Sequence, residues 1–431
     1  MPIARALIVV LVLITTTAPA FASGFYRFQH GGRATAQVGA MTARADDPSA
    51  VFYNPAGITQ LDGFQLLGGL DFNNATDDYS SATSGIQSAD HVINFPPAIY
   101  ATWTDRSRFA NLSFGLGIDT AYWYRVDWDP VFFEPRFRNR LTELRLWEVH
   151  PVVAWKVNEA FSVGGGIRYQ FGSFDQGANT RIVFGDDEEP GTLDPAEITA
   201  DAEASVDGLG FDLAAHWTSN LWGWGAVYRS AIELEGDDRV SRAVRDQPFS
   251  PDAQALLAIL LDDFGGESFR QTLDLPAELR GGVWFAPYPE LKVEINASYQ
   301  AWSDFEQRFD AELTPVLPAF FGDRAGWDDT VSIRLGAEGR LTDALTLTGG
   351  LAYEPSPVPE DEVDPGFPRG DAMVYALGLS YEFPKVIFDL GYSIHDHDSV
   401  TANGQEPRFP DTRGTYSADD QVWSASARWK F

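Results

Sequence analysis

The sequence predicts an all-β protein folded as one antiparallel transmembrane β-barrel. From about residue 63 onward, apolar and polar side chains alternate, for example from Leu291 to Gln300 and from Val331 to Glu338. A strand places alternate side chains on opposite faces, so this pattern gives each strand an apolar face and a polar face. Because the alternation is long and regular, and because short connections alternate with long ones, a membrane barrel is favoured over a soluble β-sandwich.

The expected strands number about fourteen, an even number as bacterial barrels require. They begin near residues 63, 94, 108, 144, 160, 203, 221, 270, 289, 328, 343, 371, 385 and 420. Tight turns are expected near Asp105–Arg106, Val157–Asn158, Ser219–Asn220, Pro287–Tyr288, Thr342–Asp343 and Pro384–Lys385. Short turns of such barrels face the periplasm and long loops face outward, so both termini are expected on the periplasmic side.

The composition agrees with this class of protein. The 431 residues include 13 Trp, 15 Tyr, 30 Phe and 39 Gly, and they include no cysteine, which excludes disulfides and thiolate metal sites. Aromatic residues end several strands, as in the girdles at bilayer interfaces. These are Tyr353, Tyr381, Phe383, Trp423 and Trp429. The formal net charge of -31 argues against nucleic-acid binding. It fits a soluble, non-aggregating surface, or binding of divalent cations or lipopolysaccharide.

Both ends of the chain indicate export to an outer membrane. Residues 1–22 have the pattern of a signal peptide, with a basic start, an apolar run and a small-x-small site, so the mature chain is expected to begin at Ser23. The last strand alternates perfectly and ends on Phe431. A terminal strand that ends in Phe is the signal by which the barrel-assembly machinery recognises such proteins, and this machinery is therefore an expected partner.

Two segments do not fit strands. Residues 23–62 precede the barrel, and residues 251–264 predict a helix within the long loop at about 250–265, because a proline and an acidic first turn begin it. Several apolar residues lie off the barrel wall: Phe25, Tyr26, Phe28, Tyr122, Trp123, Leu256, Leu257 and Leu260. They are candidates to bind a hydrophobic solute. Packing of a plug and loops against one another explains them equally well.

No catalytic constellation stands out, and neither a metal nor another cofactor is expected. His395 and His397 lie beside two aspartates near a strand end, where a solvated loop junction is favoured over a metal site. The acidic run at residues 186–189 is favoured as an exposed loop tip over a calcium site. A lipid hydrolase would need a Ser/His or Asp/His pair on the strands, and no convincing pair is present. An enzyme is therefore not expected.

The segment before the first strand carries the motifs of a known family. The stretch from Asp46 to Gly57, which includes Asn54-Pro55-Ala56, follows Ser23-Gly24-Phe25 and Gly39-Ala40. It resembles the start of the FadL/TodX family of outer-membrane transporters of long-chain fatty acids and other hydrophobic compounds. Further motifs follow in order: Tyr228-Arg229-Ser230, Leu275-Pro276-Ala277-Glu278-Leu279-Arg280, Trp302-Ser303-Asp304-Phe305, Trp327-Asp328-Asp329-Thr330 and Pro357-Val358-Pro359. Together they cover essentially the whole mature chain.

The resemblance implies a 14-stranded antiparallel barrel, residues 63–431, with residues 23–62 as a luminal hatch that contains Asn54, Pro55 and Ala56. It also implies capture at extracellular loops, passage to a pocket near the mature N-terminus, and sideways release beside an inward kink in the third strand. Gly115 and Gly117 lie in that strand. Three lumen-facing arginines are candidate carboxylate partners by strand parity alone. They are Arg168, Arg280 and Arg334.

We therefore expect a monomeric, passive transporter that resides among outer-membrane lipid and lipopolysaccharide. A long-chain fatty acid is the favoured ligand, while an aromatic hydrocarbon or a lipid fragment stays open. The alternative is a structural or adhesive barrel whose loops bind surface partners or divalent ions.

Overall fold

The computed structural model describes residues 26–81, 85–129, 133, 135, 139–184, 194–244, 268–310, 326–359, 362–402 and 413–431. The expected signal peptide, the expected loop helix and the acidic run at 186–189 lie outside these residues, as do Phe25, Leu256, Leu257 and Leu260. None of the described helices is long and apolar enough to cross a membrane.

The described residues form a closed antiparallel barrel of fourteen strands, numbered β1–β14 here in chain order, which confirms the predicted fold class. The strands are β1 Gly63–Ser81, β2 Pro97–Thr104, β3 Leu112–Asp127, β4 Leu141–Lys156, β5 Phe161–Phe184, β6 Asp194–Thr218, β7 Trp222–Arg229 with Ile232–Val244, β8 Ser268–Leu275 with Glu278–Tyr288, β9 Leu291–Gln300 with Gln307–Asp310, β10 Thr330–Arg340, β11 Leu345–Glu354, β12 Ala372–Glu382, β13 Val386–His397 and β14 Gly414–Lys430. The short strands Gly85–Ser88 and Val92–Asn94 pair with β1, and Val400–Ala402 pairs with β14.

The barrel closes where the last strand meets the first. β14 pairs with β1 from Gln65↔Lys430 to Ser80↔Thr415. Closure removes the free edges of a sheet and satisfies the backbone groups that lipid cannot hydrogen-bond. β5 begins at Phe161, close to the expected position, whereas β6 begins at Asp194 rather than near residue 203, because a polar hairpin continues the backbone pairing of β5 and β6 up to Phe184↔Asp194. Backbone pairing of this hairpin does not require an apolar side-chain face on either strand.

The two faces of each strand follow the predicted alternation. On β9, Glu294, Asn296 and Ser298 point into the lumen and are buried, whereas Ile295 between them is 50 % exposed on the outer face. The outer face also carries aromatic side chains near the short turns: Trp103, Trp155, Trp222, Phe285, Phe383 and Phe431. This arrangement suits an apolar belt with an aromatic girdle at one bilayer interface.

The N-terminal segment, residues 26–62, lies inside the lumen. It contains helix α1 Gly32–Ala36, helix α2 Ala50–Tyr53 and a 3-10 helix Pro55–Gln60, and nearly all of its residues are buried. Hydrogen bonds attach it to inward-facing groups of the wall, for example from Gly32 N to Ser426 Oγ (3.0 Å) and from Ala43 N to Glu294 Oε1 (2.6 Å).

Glycines on four successive strands let α1 approach the wall. A Cβ atom at Gly378 would lie 2.4 Å from Ala36 Cβ, and one at Gly391 would lie 2.3 Å from Gly32 O. Gly336 and Gly350 face the residues that follow α1 at similarly short distances. Real Cβ atoms essentially never approach another atom within 3.0 Å, and the 3.1 Å at Gly336 is tighter than most real contacts, so the glycines of β10–β13 form the space that the N-terminal segment fills.

Candidate functional site

A cavity lies in the outer half of the lumen, against the start of the N-terminal segment. It holds about 1000 Å³ of space between atoms, part of it open to solvent. Its apolar wall consists mainly of aromatic and branched side chains: Tyr26, Trp123, Tyr124, Trp327, Phe367, Val92, Val358 and Val422. Such a concave, largely apolar surface with a few polar groups is the usual form of a small-molecule site.

The wall also carries charged side chains, and these are paired with one another. Arg369 donates from Nε and Nη2 to both carboxylate oxygens of Asp77, at 2.9 Å each, and from Nη1 to Asp420 Oδ2 at 2.7 Å. Arg125 donates to Glu143 and to Asp127, at 2.8 Å each. Each of these guanidinium groups therefore contacts two carboxylates.

The three predicted carboxylate partners are buried and already paired within the protein. Arg168 lies 2.9 Å from Glu148, Arg280 lies 2.7 Å from Glu278, and Arg334 lies 3.1 Å from Glu354. Their inward orientation agrees with strand parity. They do not line the cavity described above. Instead they lie beside the first residues of the N-terminal segment, where the Arg334 guanidinium carbon is 3.3 Å from the centre of the Phe28 ring.

The predicted aromatic residues of the N-terminus and β3 cluster together. The Tyr26 ring lies 4.5 Å from the Phe28 ring and 5.1 Å from the Tyr122 ring, between ring centres. Tyr26 and Trp123 line the cavity, whereas Phe28 and Tyr122 pack behind Tyr26. Burial raises the pKa of the Tyr26 phenol to about 12, so the neutral hydroxyl donates to Glu278 and accepts from Arg229 and Arg280.

The third strand is irregular beside this cluster. Its register against β4 shifts between Asp119 and Tyr122, so two residues of β3 oppose one residue of β4. Such a bulge bends a strand and re-aims its side chains. The shift falls just after Gly115 and Gly117, which pair regularly with β4. A Cβ atom at either glycine would come within about 3.0 Å of Val51 of α2, at 2.7 and 3.0 Å respectively.

β2 does not accompany β3 along its whole length. The pairing of β2 with β3 runs only from Trp103↔Phe114 to Ile99↔Ile118. Beyond Ile118 the edge of β3 is met by the N-terminal segment, through a bridge between Tyr26 and Tyr122 and a bond from Arg27 N to Ala121 O (2.9 Å). We call residues 26 and 27 the strap, and the interval between β2 and the outer half of β3 the lateral gap.

The Arg27 side chain spans the lateral gap. Its Nη2 donates to Asp71 of β1 at 2.8 Å, and its Nη1 donates to the hydroxyl of Thr120 of β3 at 3.2 Å. Asp71 and Thr120 are both buried. Arg27 therefore connects two strands that are separated by β2 elsewhere in the barrel.

The motif Asn54-Pro55-Ala56 attaches the N-terminal segment to the wall. The Asn54 amide donates to Thr42 O at 2.9 Å and to Ala215 O of β6 at 3.2 Å, and its oxygen accepts from Ala56 N at 3.1 Å. The 3-10 helix is thus capped by the same side chain that holds it to β6. Pro55 occupies its first position, where the missing N–H costs nothing.

A second attachment is ionic and lies toward the periplasmic end. Arg33 of α1 contacts Asp46 and Asp47 of the N-terminal segment and Glu338 of β10, at N–O distances of 2.6 to 2.9 Å. Burial alone would raise the pKa of Asp47, but Arg33 and then Arg428 outweigh it and hold this pKa below its usual value. Asp47 is therefore ionised at neutral pH and pairs with Arg33.

The histidines of β13 lie in the cavity wall. His395 Nδ1 is 4.0 Å from Glu354, and His397 Nε2 is 3.5 Å from Asp420. Among the described residues, no group of three or more His, Cys, Asp or Glu side chains is arranged to hold a metal ion. Sequence reasoning missed Arg27, Asp77, Arg369 and Asp420, because their meeting depends on closure of the barrel. Trp327 belonged to a recognised motif, but its role as a cavity wall had no sequence signal.

Comparisons with known proteins agree over nearly the whole chain. The model of the family described as "Outer membrane protein transport protein (OMPP1/FadL/TodX)" matches residues 11–431. The chain is 26% identical over 421 residues to the long-chain fatty acid transport protein of Salmonella typhi, covering 92% of each chain. It is 28% identical over 196 residues to alkane uptake protein A of Marinobacter nauticus, covering 42% of this chain and 40% of that protein.

Solved structures show the same fold. A FadL homologue of Pseudomonas aeruginosa superposes with a TM-score of 0.81 at 20% identity, covering 95% of this chain and 100% of that chain. The toluene transporter TodX of P. putida superposes with a TM-score of 0.68 at 14% identity, covering 94% of this chain and 99% of that chain.

Proposed function

Because the chain belongs to the OMPP1/FadL/TodX family of outer-membrane transport proteins, we propose that it binds a hydrophobic molecule in the luminal cavity and releases it sideways through the lateral gap. The protein is an outer-membrane transporter of hydrophobic compounds and not an enzyme.

The cavity supplies the binding energy. Its aromatic wall gains roughly 25 cal/mol for each Å² of apolar surface removed from water. A ligand that covers on the order of 200 Å² of apolar surface thus gains about 5 kcal/mol before the costs of association. No metal or covalent chemistry enters this step, which fits passive transfer from the loops to the lumen.

The single observation that supports sideways release is the strap across the lateral gap. Below the cavity, the N-terminal segment fills the lumen and is attached through Asn54 and Arg33. Beside the cavity, the strap closes the barrel wall through one backbone bond, one bridge, the Arg27 side chain and the hydrogen bonds of the Tyr26 hydroxyl, and at the outer end of β3 Asp90 N donates to Asp127 O at 2.7 Å. Displacement of the two strap residues opens the wall between Ile118 and Asp127, whereas a path to the periplasm would require most of the N-terminal segment to leave. The segment therefore acts as a hatch whose strap is the moving part.

A disulfide between the strap and β3 tests this route. Tyr26 and Tyr122 are bridge partners, so Tyr26→Cys with Tyr122→Cys places two thiols at the spacing of an antiparallel pair. The native chain contains no cysteine, so no other disulfide competes. We expect cells that carry this variant to take up a radiolabelled hydrophobic probe, hexadecane, only after reduction of the disulfide.

The matched control is a disulfide that fixes the hatch elsewhere. Thr59 and Ser162 hydroxyls lie 2.6 Å apart at the periplasmic end, and Thr59→Cys with Ser162→Cys ties the 3-10 helix to β5. This disulfide should leave uptake unchanged, because the strap stays free. Equal uptake by the oxidised and reduced forms of the strap variant would rule out sideways release at this gap.

A further inference from the structure

We propose that Asp77 and Asp420, with the other carboxylates that pair with the arginines of the cavity wall, make the cavity selective for uncharged hydrophobic molecules over fatty-acid anions. This inference rests on the proposed binding in the luminal cavity. It reverses the ligand preference that the sequence favoured, and it assigns the selectivity to individual residues.

Arg369 is the cation best placed to receive a carboxylate headgroup, and its charge is already neutralised. All three of its nitrogens donate to carboxylate oxygens, two to Asp77 and one to Asp420. Asp77 is 2 % exposed, so this pair has little competition from water. The guanidinium also lies 5.2 Å from the centre of the Tyr124 ring, which occupies one of its faces.

The other two arginines of the wall are paired in the same way. Arg125 contacts Asp127 and Glu143, and Arg27 contacts Asp71. The three lining arginines thus meet five carboxylates. Arg140 and Arg145 share Asp127 and Glu143 from outside the cavity, so the group is balanced and carries no surplus of positive charge.

The other titratable groups of the wall are paired as well, and Gln29 Nε2, which has no hydrogen-bond partner among the described residues, is an uncharged donor that an ester carbonyl can use as well as a carboxylate can. Glu354 faces the cavity and is paired with Arg334 and His395, while His397 faces Asp420. The Asn73 Nδ2 donates to Asn94 Oδ1 at 2.9 Å, so these two atoms are paired within the wall.

An anion that entered this cavity could pair with an arginine only by displacing a carboxylate that already holds it. A buried ion pair that loses one partner leaves an uncompensated charge, which is strongly unfavourable. An uncharged molecule needs only the aromatic wall and leaves every pair intact. The geometry thus favours a hydrocarbon, an ester or another neutral apolar compound.

Binding of matched ligands to the purified protein tests this selectivity. Palmitate at pH 8 is ionised, methyl palmitate has the same chain without the charge, and hexadecane has no headgroup. Each compound is used to displace radiolabelled hexadecane from the protein in detergent micelles, and protein-free micelles serve as the blank. This displacement gives the three dissociation constants. We expect methyl palmitate and hexadecane to bind at least about tenfold more tightly than palmitate.

The substitution Asp420→Asn tests the named residues. Arg369 stays held by its two bonds to Asp77, but it gains a surplus of positive charge toward the cavity. The ratio of the palmitate constant to the methyl palmitate constant should then fall roughly tenfold. Asp419→Asn is the matched control, because Asp419 is adjacent in β14 and exposed on the opposite face. It should leave the ratio at its native value.

The outcomes separate the two proposals. If palmitate binds the native protein as tightly as methyl palmitate, or if Asp420→Asn and Asp419→Asn give the same ratio, the selectivity is wrong while the cavity remains a binding site. If none of the three ligands binds, the proposed function itself is wrong.

Discussion

Asn54→Asp should loosen the attachment of the hatch while the barrel stays folded. The native amide donates to two carbonyl oxygens, Thr42 O within the hatch and Ala215 O of β6, and it is fully buried. The substitution keeps the size of the side chain and the oxygen that accepts from Ala56 N. It replaces the donor with an oxygen that faces both carbonyls, so attraction becomes repulsion.

The magnitude follows from the two lost bonds. A buried group left without its partner costs about 1–3 kcal/mol, and two carbonyls lose a donor here. Part of this cost is recovered by relaxation and by water, so we take about 3 kcal/mol for the undocking equilibrium of the hatch. This corresponds to roughly a hundredfold increase in the undocked population.

A single-cysteine reporter measures this population, because the native chain contains no cysteine. Thr35 in α1 is fully buried, and its hydroxyl meets no hydrogen-bond partner in the part of the chain that the structure describes, so Thr35→Cys is a mild replacement. Maleimide labels the thiol only when the hatch undocks. Labelling should be roughly a hundredfold faster in the Asn54→Asp background.

The control for a general effect of the added charge is Asn111→Asp, which alters an exposed residue of the β2–β3 turn. It should leave the labelling rate unchanged. A labelling rate for Asn54→Asp that matches this control would refute the role of Asn54 as an attachment between hatch and wall.

Two further predictions concern the same attachment. Gly350→Ala should destabilise the docked hatch by about 1–3 kcal/mol, because its Cβ would lie 2.8 Å from Gln37 C of the hatch. The Thr35→Cys reporter measures this, and Gly68→Ala, whose Cβ would meet no atom closer than 3.9 Å, should have no effect. The hatch should also loosen in acid. The pKa of Asp47 in the folded protein is below its usual value. The stabilisation of the docked hatch by ionised Asp47 is therefore fully present above the pKa of the unfolded state, and it is lost as the pH falls through the pKa of the folded state. Hydrogen-exchange protection of the hatch, corrected for intrinsic rates, should fall as the pH decreases below about pH 4. Protection that stays constant there would contradict the role of the Arg33–Asp47 pair.

The sequence predicts the barrel well because strand faces depend on local alternation. Lys292, Glu294 and Asn296 share one face of β9 for the same reason that Ile295 faces outward, and no distant residue is needed to see it. The boundaries are less predictable where strands leave the membrane. Asp194 begins β6 nine residues before the expected position, since a polar hairpin pairs through its backbone and shows no apolar face.

The candidate site depends on contacts that alternation does not contain. Parity places Arg168, Arg280 and Arg334 in the lumen, but their carboxylate partners lie on other strands or two residues away. Arg369 meets Asp77 across 292 residues of sequence, a contact that only barrel closure creates. The glycines of β3 are another example, because the space they leave is filled by Val51 of the hatch.

Arg27 belongs both to the charged cavity wall and to the strap, and this links binding with release. Opening the lateral gap separates Arg27 from Asp71, and breaking a buried pair costs about 3–5 kcal/mol. Asp71 also accepts from Ser424, so it keeps one partner when the strap leaves and the cost falls toward the lower end of that range. Apolar burial of on the order of 200 Å² in the cavity gains about 5 kcal/mol before the costs of association, which offsets part of the cost of displacing the strap. A neutral ligand leaves the arginine pairs of the wall intact, so its binding energy is available to displace the strap. For an anion, the cost of breaking these pairs offsets part of the binding free energy, so less is available to open the gap. Selectivity and release therefore depend on the same set of carboxylates.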